Sequence, residues 1–180
     1  MRETKAIYPG SFDPITNGHL DLIKRSLEIF KKLTIAIVVT PHKKPLFTVE
    51  ERMEMIKRAV RSDKRIVIKS FDGLLVDFAK REKGTTIVRG LRAISDFEYE
   101  FQMALMNRKL YKDLHFVYMM PSEKYTYLSS SMTKEIGLLG GDIRQFAPSL
   151  VVKKLAEKAA ERGRQKRKLL FSRGNLSINR

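Results

Sequence analysis

The chain has 180 residues, 43% of them apolar and 31% charged, which is length enough for one domain with a real core. It contains no cysteine, which excludes disulfides and thiolate metal sites, and no apolar run approaches the roughly 18 residues of a membrane span. The formal charge is +16, yet residues 151–180 hold ten Lys/Arg against only Glu157 and Glu161, so half of the excess lies in that last segment. The body is then only moderately basic, as suits a protein with phosphorylated ligands rather than one built around nucleic acid. With no signal-peptide core after Met1, a cytoplasmic protein is expected.

In chain order, "KAIY" (5–8) reads as a short strand running into "PGSFDPITNGH", a stretch rich in turn formers. From Asn17 to Lys32, Leu20, Ile23, Leu27 and Phe30 recur at helical spacing. "LTIAIVVT" (33–40) is an almost unbroken β-branched run, the mark of a strand covered on both faces. Thr48 with Glu51 makes a capping box and predicts a helix to about Val60. "RIVIKS" is the third strand, and residues 74–83 the next helix. "TTIVRG" is the fourth strand, followed by a helix over 96–110 with Asp96 as its N-cap. "LHFVYMM" is the fifth strand, followed by a short helix over about 130–139. Pro148 opens a last helix, and beyond Arg164 the sequence gives little reason for order. Residues 1–162 thus form one domain, with 163–180 a basic tail.

Strand and helix alternate five times through short connections. That is the pattern of βαβ units building a five-stranded, doubly wound, Rossmann-like parallel sheet of the α/β class, with helices on both faces. Ligands of such sheets bind beyond the C-terminal strand ends. The unusual polar residues converge on that edge. Gly10, Ser11, Asp13, Asn17, Gly18 and His19 follow the first strand; His42, Lys43 and Lys44 follow the second. Arg89, Gly90 and Arg92 close the fourth, and Tyr125 with Ser129, Ser130 and Ser131 follow the fifth. His42 and His115 read as structural or solvated, and Glu98, Tyr99 and Glu100 alone would be an ordinary helical turn.

The chemistry of this set is anionic recognition. Glycines allow close backbone approach, helix N-termini offer free amides, and His19, Lys43, Arg89 and Arg92 offer donors or positive charge. There is no G-x-x-x-x-G-K-[ST], no G-x-G-x-x-G, no G-x-S-x-G and no H-E-x-x-H. Donors and cations without an evident nucleophile fit phosphoryl or nucleotidyl transfer, where positioning and electrostatics do most of the work.

"YPGSFDPITNGH", "KKPLFTVEER", "RGLRAISDFEYE", "MNRKL" and "YLSSSMTKEI", in this order, resemble the bacterial phosphopantetheine adenylyltransferases of the nucleotidyltransferase superfamily. The resemblance implies transfer of the adenylyl group of ATP to 4′-phosphopantetheine, with Mg2+, giving dephospho-coenzyme A and pyrophosphate by direct attack on the α-phosphorus. It implies His19, Lys43 and Arg92 as catalytic residues. It places Ser11, Phe12, His19, Gly90, Leu91, Arg92, Glu100 and the segment Tyr125, Thr126, Tyr127, Leu128, Ser129, Ser130, Ser131 on ATP. Ser11, Lys43, Leu75 and Arg89 fall on the phosphopantetheine side. No protein metal ligand is implied. Family members are homohexamers, dimers of trimers, so self-association is expected, with no membrane and with nucleic acid only through the basic tail. Two other readings compete: a nucleotidyltransferase of the same fold acting on nicotinamide mononucleotide or on glycerol phosphate with CTP, and a nucleic-acid-binding module.

Overall fold

The computed structural model describes residues 4–39, 44–92 and 94–174. Five strands form one sheet in the order β3-β2-β1-β4-β5, every neighbouring pair parallel: β1 Lys5–Gly10, β2 Lys32–Val38, β3 Ile66–Phe71, β4 Thr86–Gly90 and β5 His115–Met119. The chain winds outward from β1 to β3, crosses back to β4 and winds outward again to β5. The winding therefore reverses between β1 and β4, which are paired at Ile7 and Ile87. Such a reversal opens a crevice at the C-terminal ends of the two strands.

Alternation along each strand feeds two cores, one on each face. Ala6, Tyr8, Ile35, Ile37 and Val88 pack with Leu22 and Ile23 of α1 (Asn17–Ile29). Met55 and Ile56 of α2 (Val49–Ala59) join them, as do Val151 and Leu155 of α6 (Ser149–Gly174). Ile7, Ala36 and Ile87 face the other way, onto Val76, Phe78 and Ala79 of α3 (Leu75–Arg81). Burial on both faces is why β1 and β2 read as continuous apolar runs.

The capping box of α2 is formed as the sequence predicts: Thr48 Oγ1 accepts from the Glu51 amide at 3.2 Å, and Glu51 Oε2 accepts from the Thr48 amide at 2.8 Å. Three boundaries differ from expectation: α1 ends at Ile29, so that Lys32, expected as its last residue, opens β2 instead. The helix α4 covers Ile94–Leu110, so Asp96 is its third residue and not the N-cap. Only three residues separate it from β4, a tighter connection than the sequence suggested. The last helix runs to Gly174 instead of fading at Arg164, since Arg, Lys, Gln and Leu are all good helix formers. Between β5 and α6 lie a 3-10 turn, Glu123–Tyr125, and α5, Ser130–Leu138. Among the described residues no helix is long and apolar enough to cross a membrane.

Candidate active site

A cavity of about 550 Å3 occupies the crevice where the winding reverses. Its wall draws on four chain segments: Tyr8 to Leu22, Arg89 to Arg92, Tyr99 with Glu100, and Pro121 to Ser131. Three of the four strand-end groups found in the sequence therefore meet.

The first turn is built around Phe12. This residue is buried with φ +46°, a left-handed conformation, and its ring packs edge-on to Tyr8 and 5.0 Å from the His19 ring. Gly10 suits that packing, since a Cβ there would stand 3.0 Å from the Phe12 ring and push against it. The turn leads into α1, whose N-cap is Thr16. Thr16 Oγ1 accepts from the His19 amide at 3.4 Å, while the Thr16 amide donates to His19 Nδ1 at 3.0 Å. Histidine thus fills the place that Glu or Gln takes in an ordinary capping box.

That arrangement decides what His19 can do. An amide donating to Nδ1 requires that nitrogen to be unprotonated, so the neutral ring carries its proton on Nε2 and offers a donor. Burial, then the positive charges of Arg92 and Arg89, push its pKa from the ordinary 6.5 down to about 4. The ring is therefore a neutral donor at physiological pH. Thr16 Oγ1 lies 3.0 Å from Nδ1, the spacing of a nucleophile and its base, but Thr16 is buried and its hydroxyl caps the helix. It acts as a support for the ring.

Two helix N-termini meet at the cavity. In the first turn of α1 the Asn17 amide is taken by Phe146 O and the His19 amide by Thr16, which leaves the Gly18 amide without an acceptor among the described residues. In α5 the N-cap Ser129 accepts from Met132, leaving the amides of Ser130 and Ser131 in the same condition. These amides and the two arginines make the cavity a site for anionic oxygen atoms.

Arg89 is anchored from two sides: it pairs through both nitrogens of its fork with Glu100, and Nη1 donates to Pro9 O at 3.0 Å. Partial burial works against the charge of the guanidinium, but the Glu100 carboxylate outweighs it and raises the Arg89 pKa. Tyr118 steadies the same helix turn by donating to Glu100 O at 2.8 Å. Glu100 therefore acts on Arg89, a task that its sequence context did not indicate. Arg92 donates to Leu128 O at 3.3 Å across the cavity mouth.

The remaining expected site residues fall in different places. Ser11, Phe12, Gly90, Tyr125 and Leu128 line the cavity, as do all three serines. Leu91 lies behind it, its amide bonded to Met119 O at 3.0 Å. Thr126 and Tyr127 are exposed outside it, and Leu75 packs against the second core. His42 and Lys43 lie outside the described residues, and Lys44 is exposed away from the cavity. His115 stands at the opposite end of the sheet. Thr16, which orients the His19 ring, was legible only as the residue three before a histidine.

Geometry of this kind defines a nucleotidyltransferase of Rossmann-like fold. The sequence model of the family described as cytidylyltransferase-like matches residues 7–136. A nicotinic acid mononucleotide adenylyltransferase from Plasmodium falciparum, solved with NaAD, superposes with TM-score 0.63 over 87% of this chain and 96% of its own, at 19% identity, and supports the fold.

Curated relatives narrow the class. The phosphopantetheine adenylyltransferase of Heliobacterium modesticaldum is 50% identical over 163 residues, 91% of this chain and 97% of that protein. That of Clostridium tetani is 51% identical over 154 residues, 86% of this chain and 96% of its own. The chain belongs to the phosphopantetheine adenylyltransferase family.

Proposed function

We propose that the chain transfers the adenylyl group of ATP to 4′-phosphopantetheine, releasing pyrophosphate and forming dephospho-coenzyme A. A phosphate oxygen of phosphopantetheine bonds to the α-phosphorus while the bond from that phosphorus to the α–β bridging oxygen breaks. The electron pair leaves with pyrophosphate, so no covalent intermediate on the protein is needed. The observation that carries this reading is the union of His19, Arg89, Arg92 and two helix N-termini in one cavity.

In this mechanism Nε2 of His19 donates to an α-phosphate oxygen as its charge grows, and Arg92 neutralises the phosphate chain from the mouth. Ser11, Phe12 and Gly90 to Arg92 receive the nucleotide together with the segment Tyr125 to Ser131, whose free amides at Ser130 and Ser131 face phosphate oxygens. Arg89, held rigid by Glu100, receives the phosphate of phosphopantetheine on the side of Leu75, and Lys43 bridges the reacting phosphates. Among the described residues no group of three His, Asp or Glu is placed to hold a metal ion, and Glu100 is engaged by Arg89. The Mg2+ ion that the family resemblance implies would come with the ATP phosphates and would supply neutralisation of their charge.

Self-association is part of the same proposal. On α4, Phe97, Tyr99, Phe101, Leu105, Met106 and Leu110 are all exposed, more apolar surface than a solvated helix carries. A second copy of the chain covers it, as in the hexamers that the family resemblance implies.

Pyrophosphate release from Mg2+, ATP and 4′-phosphopantetheine tests the reaction. Parallel mixtures contain nicotinamide mononucleotide with ATP, and glycerol phosphate with CTP. Turnover confined to the first mixture is the expected result; turnover in another moves the substrate and keeps the His19 chemistry.

A further inference from the structure

One buried carboxylate ties together three chain segments, two of which also contribute residues to the cavity wall. Asp13 follows Phe12 in the first turn and is 6% exposed. Its Oδ1 accepts from the Phe47 amide at 3.0 Å; its Oδ2 accepts from the Leu46 amide at 3.0 Å and from Lys134 Nζ at 2.7 Å. Leu46 and Phe47 belong to the segment that follows Lys43. Lys134 stands on α5, one turn beyond the serines. Two further bonds reinforce the assembly: Ser130 Oγ donates to Pro14 O at 2.7 Å, and the buried Arg52 of α2 donates to Ser11 O at 2.9 Å.

These partners are unlike those of a carboxylate that merely shapes its own turn. Asp63 and Asp142 are such residues, each accepting from an amide two positions on and from that residue's guanidinium. For Asp13 the residues supplying the bonds lie 33, 34 and 121 positions away. Three donors converge on it, one of them a cation, and only an acceptor-only group with two oxygens satisfies them all.

We propose that Asp13 is a positioning residue for adenylyl transfer. It sets the spacing between the first turn and the N-terminus of α5, so that their donors close on one phosphate chain together, and it fixes both to the segment of Leu46 and Phe47. Asp13 acts through the segments it anchors, without contact to substrate. The inference rests on the adenylyltransferase reading given above.

The test compares the purified full chain with Asp13→Asn, Lys134→Met and the double variant. Three quantities are read: the Kd for ATP by equilibrium titration, kcat for pyrophosphate release, and Tm. Lys134→Met frees only the α5 strap, so the Kd for ATP should rise about 3- to 10-fold while kcat at saturating ATP stays within about twofold. Asp13→Asn places an amide NH2 against a donor and frees the segment after Lys43 as well. Its kcat should fall at least about 10-fold in addition to the Kd change, since small misplacements at a reacting centre are costly. The double variant should match Asp13→Asn, because Lys134 acts through Asp13.

A lowered Tm with Kd and kcat within about twofold of the parent would mean a purely structural role and overturn the proposal. Should Asp13→Asn fail to fold, Lys134→Met decides alone, and an unchanged Kd overturns it. A parent chain that binds ATP but releases no pyrophosphate overturns the functional reading instead, and the ATP titration still decides the role of Asp13.

Discussion

The Thr16 amide donates to Nδ1 of His19 across 3.0 Å, and this single bond selects the tautomer that presents Nε2–H. A donor aimed at charge that develops in the transition state contributes on the order of 2.7–4 kcal/mol. His19→Ala should therefore lower kcat by at least ~100-fold while the chain stays folded. Near-normal turnover in that variant would remove His19 from the mechanism.

The same ring gives a pH prediction. With its pKa near 4 in the folded chain and 6.5 ordinarily, His19 binds fewer protons folded than unfolded between those values. Stability should then rise with pH across that window; the contribution is present above pH 6.5 and lost as pH falls toward 4. Unfolding midpoints measured from pH 4 to 8 should decline less on acidification in His19→Gln than in the parent. Equal declines would show that other groups control the acid limb. Polyphosphate binding should raise the His19 pKa, visible as proton uptake near pH 5.

The parallel doubly wound sheet, the helices and most cavity residues were legible because strands buried on both faces and glycine-rich turns leave strong local patterns. What was hidden involves partners distant in sequence. Nothing near Glu100 announces Arg89, because their pairing depends on α4 crossing the end of β4. Gly10 was legible as a close-approach position, but the nearest group is the Phe12 ring, which only a left-handed Phe12 places there. The helical extension past Arg164 carried propensity without amphipathic pattern, so periodicity missed it.

Arg89 and Glu100 should be separable by kinetics and stability together. Arg89→Ala removes the cation assigned to the phosphopantetheine phosphate, so KM for that substrate should rise while KM for ATP changes little. It also leaves the Glu100 carboxylate, whose side chain is 10% exposed, without its partner. Breaking a fully buried pair costs 3–5 kcal/mol, and with the Arg89 side chain 29% exposed the expected loss is about 2 kcal/mol. A fall in stability without a KM change would restrict Arg89 to holding α4.

Gly90 tests how tightly the cavity floor is packed. A Cβ at this position would lie 2.3 Å from Leu22 Cδ1, far inside contact distance. Leu22 is buried, yet it also lines the cavity, so the side chain has one open direction: into the space proposed for the nucleotide. Gly90→Ala should therefore weaken ATP binding by about 10-fold or more, with a stability loss of about 1–3 kcal/mol from overpacking. Adding Leu22→Ala should restore ATP affinity, because it removes the displaced side chain. Failure of that rescue would mean that the substitution does not act through the Leu22 side chain.

The exposed apolar face of α4 carries the last prediction. Leu105 and Met106 are 51% and 65% exposed, large apolar side chains set among the other exposed apolar residues of the helix. Burying two such side chains in an interface removes about 1.5–3 kcal/mol each from solvent exposure, enough to shift an assembly equilibrium by orders of magnitude. Introducing a carboxylate at both positions, Leu105→Glu with Met106→Glu, should leave the sheet intact, since neither residue belongs to either core. Light scattering should then report a smaller particle than for the parent chain, with an unchanged far-UV spectrum. Equal particle size would mean that another surface holds the copies together. A monomeric parent would mean that this face is covered by something other than a second copy.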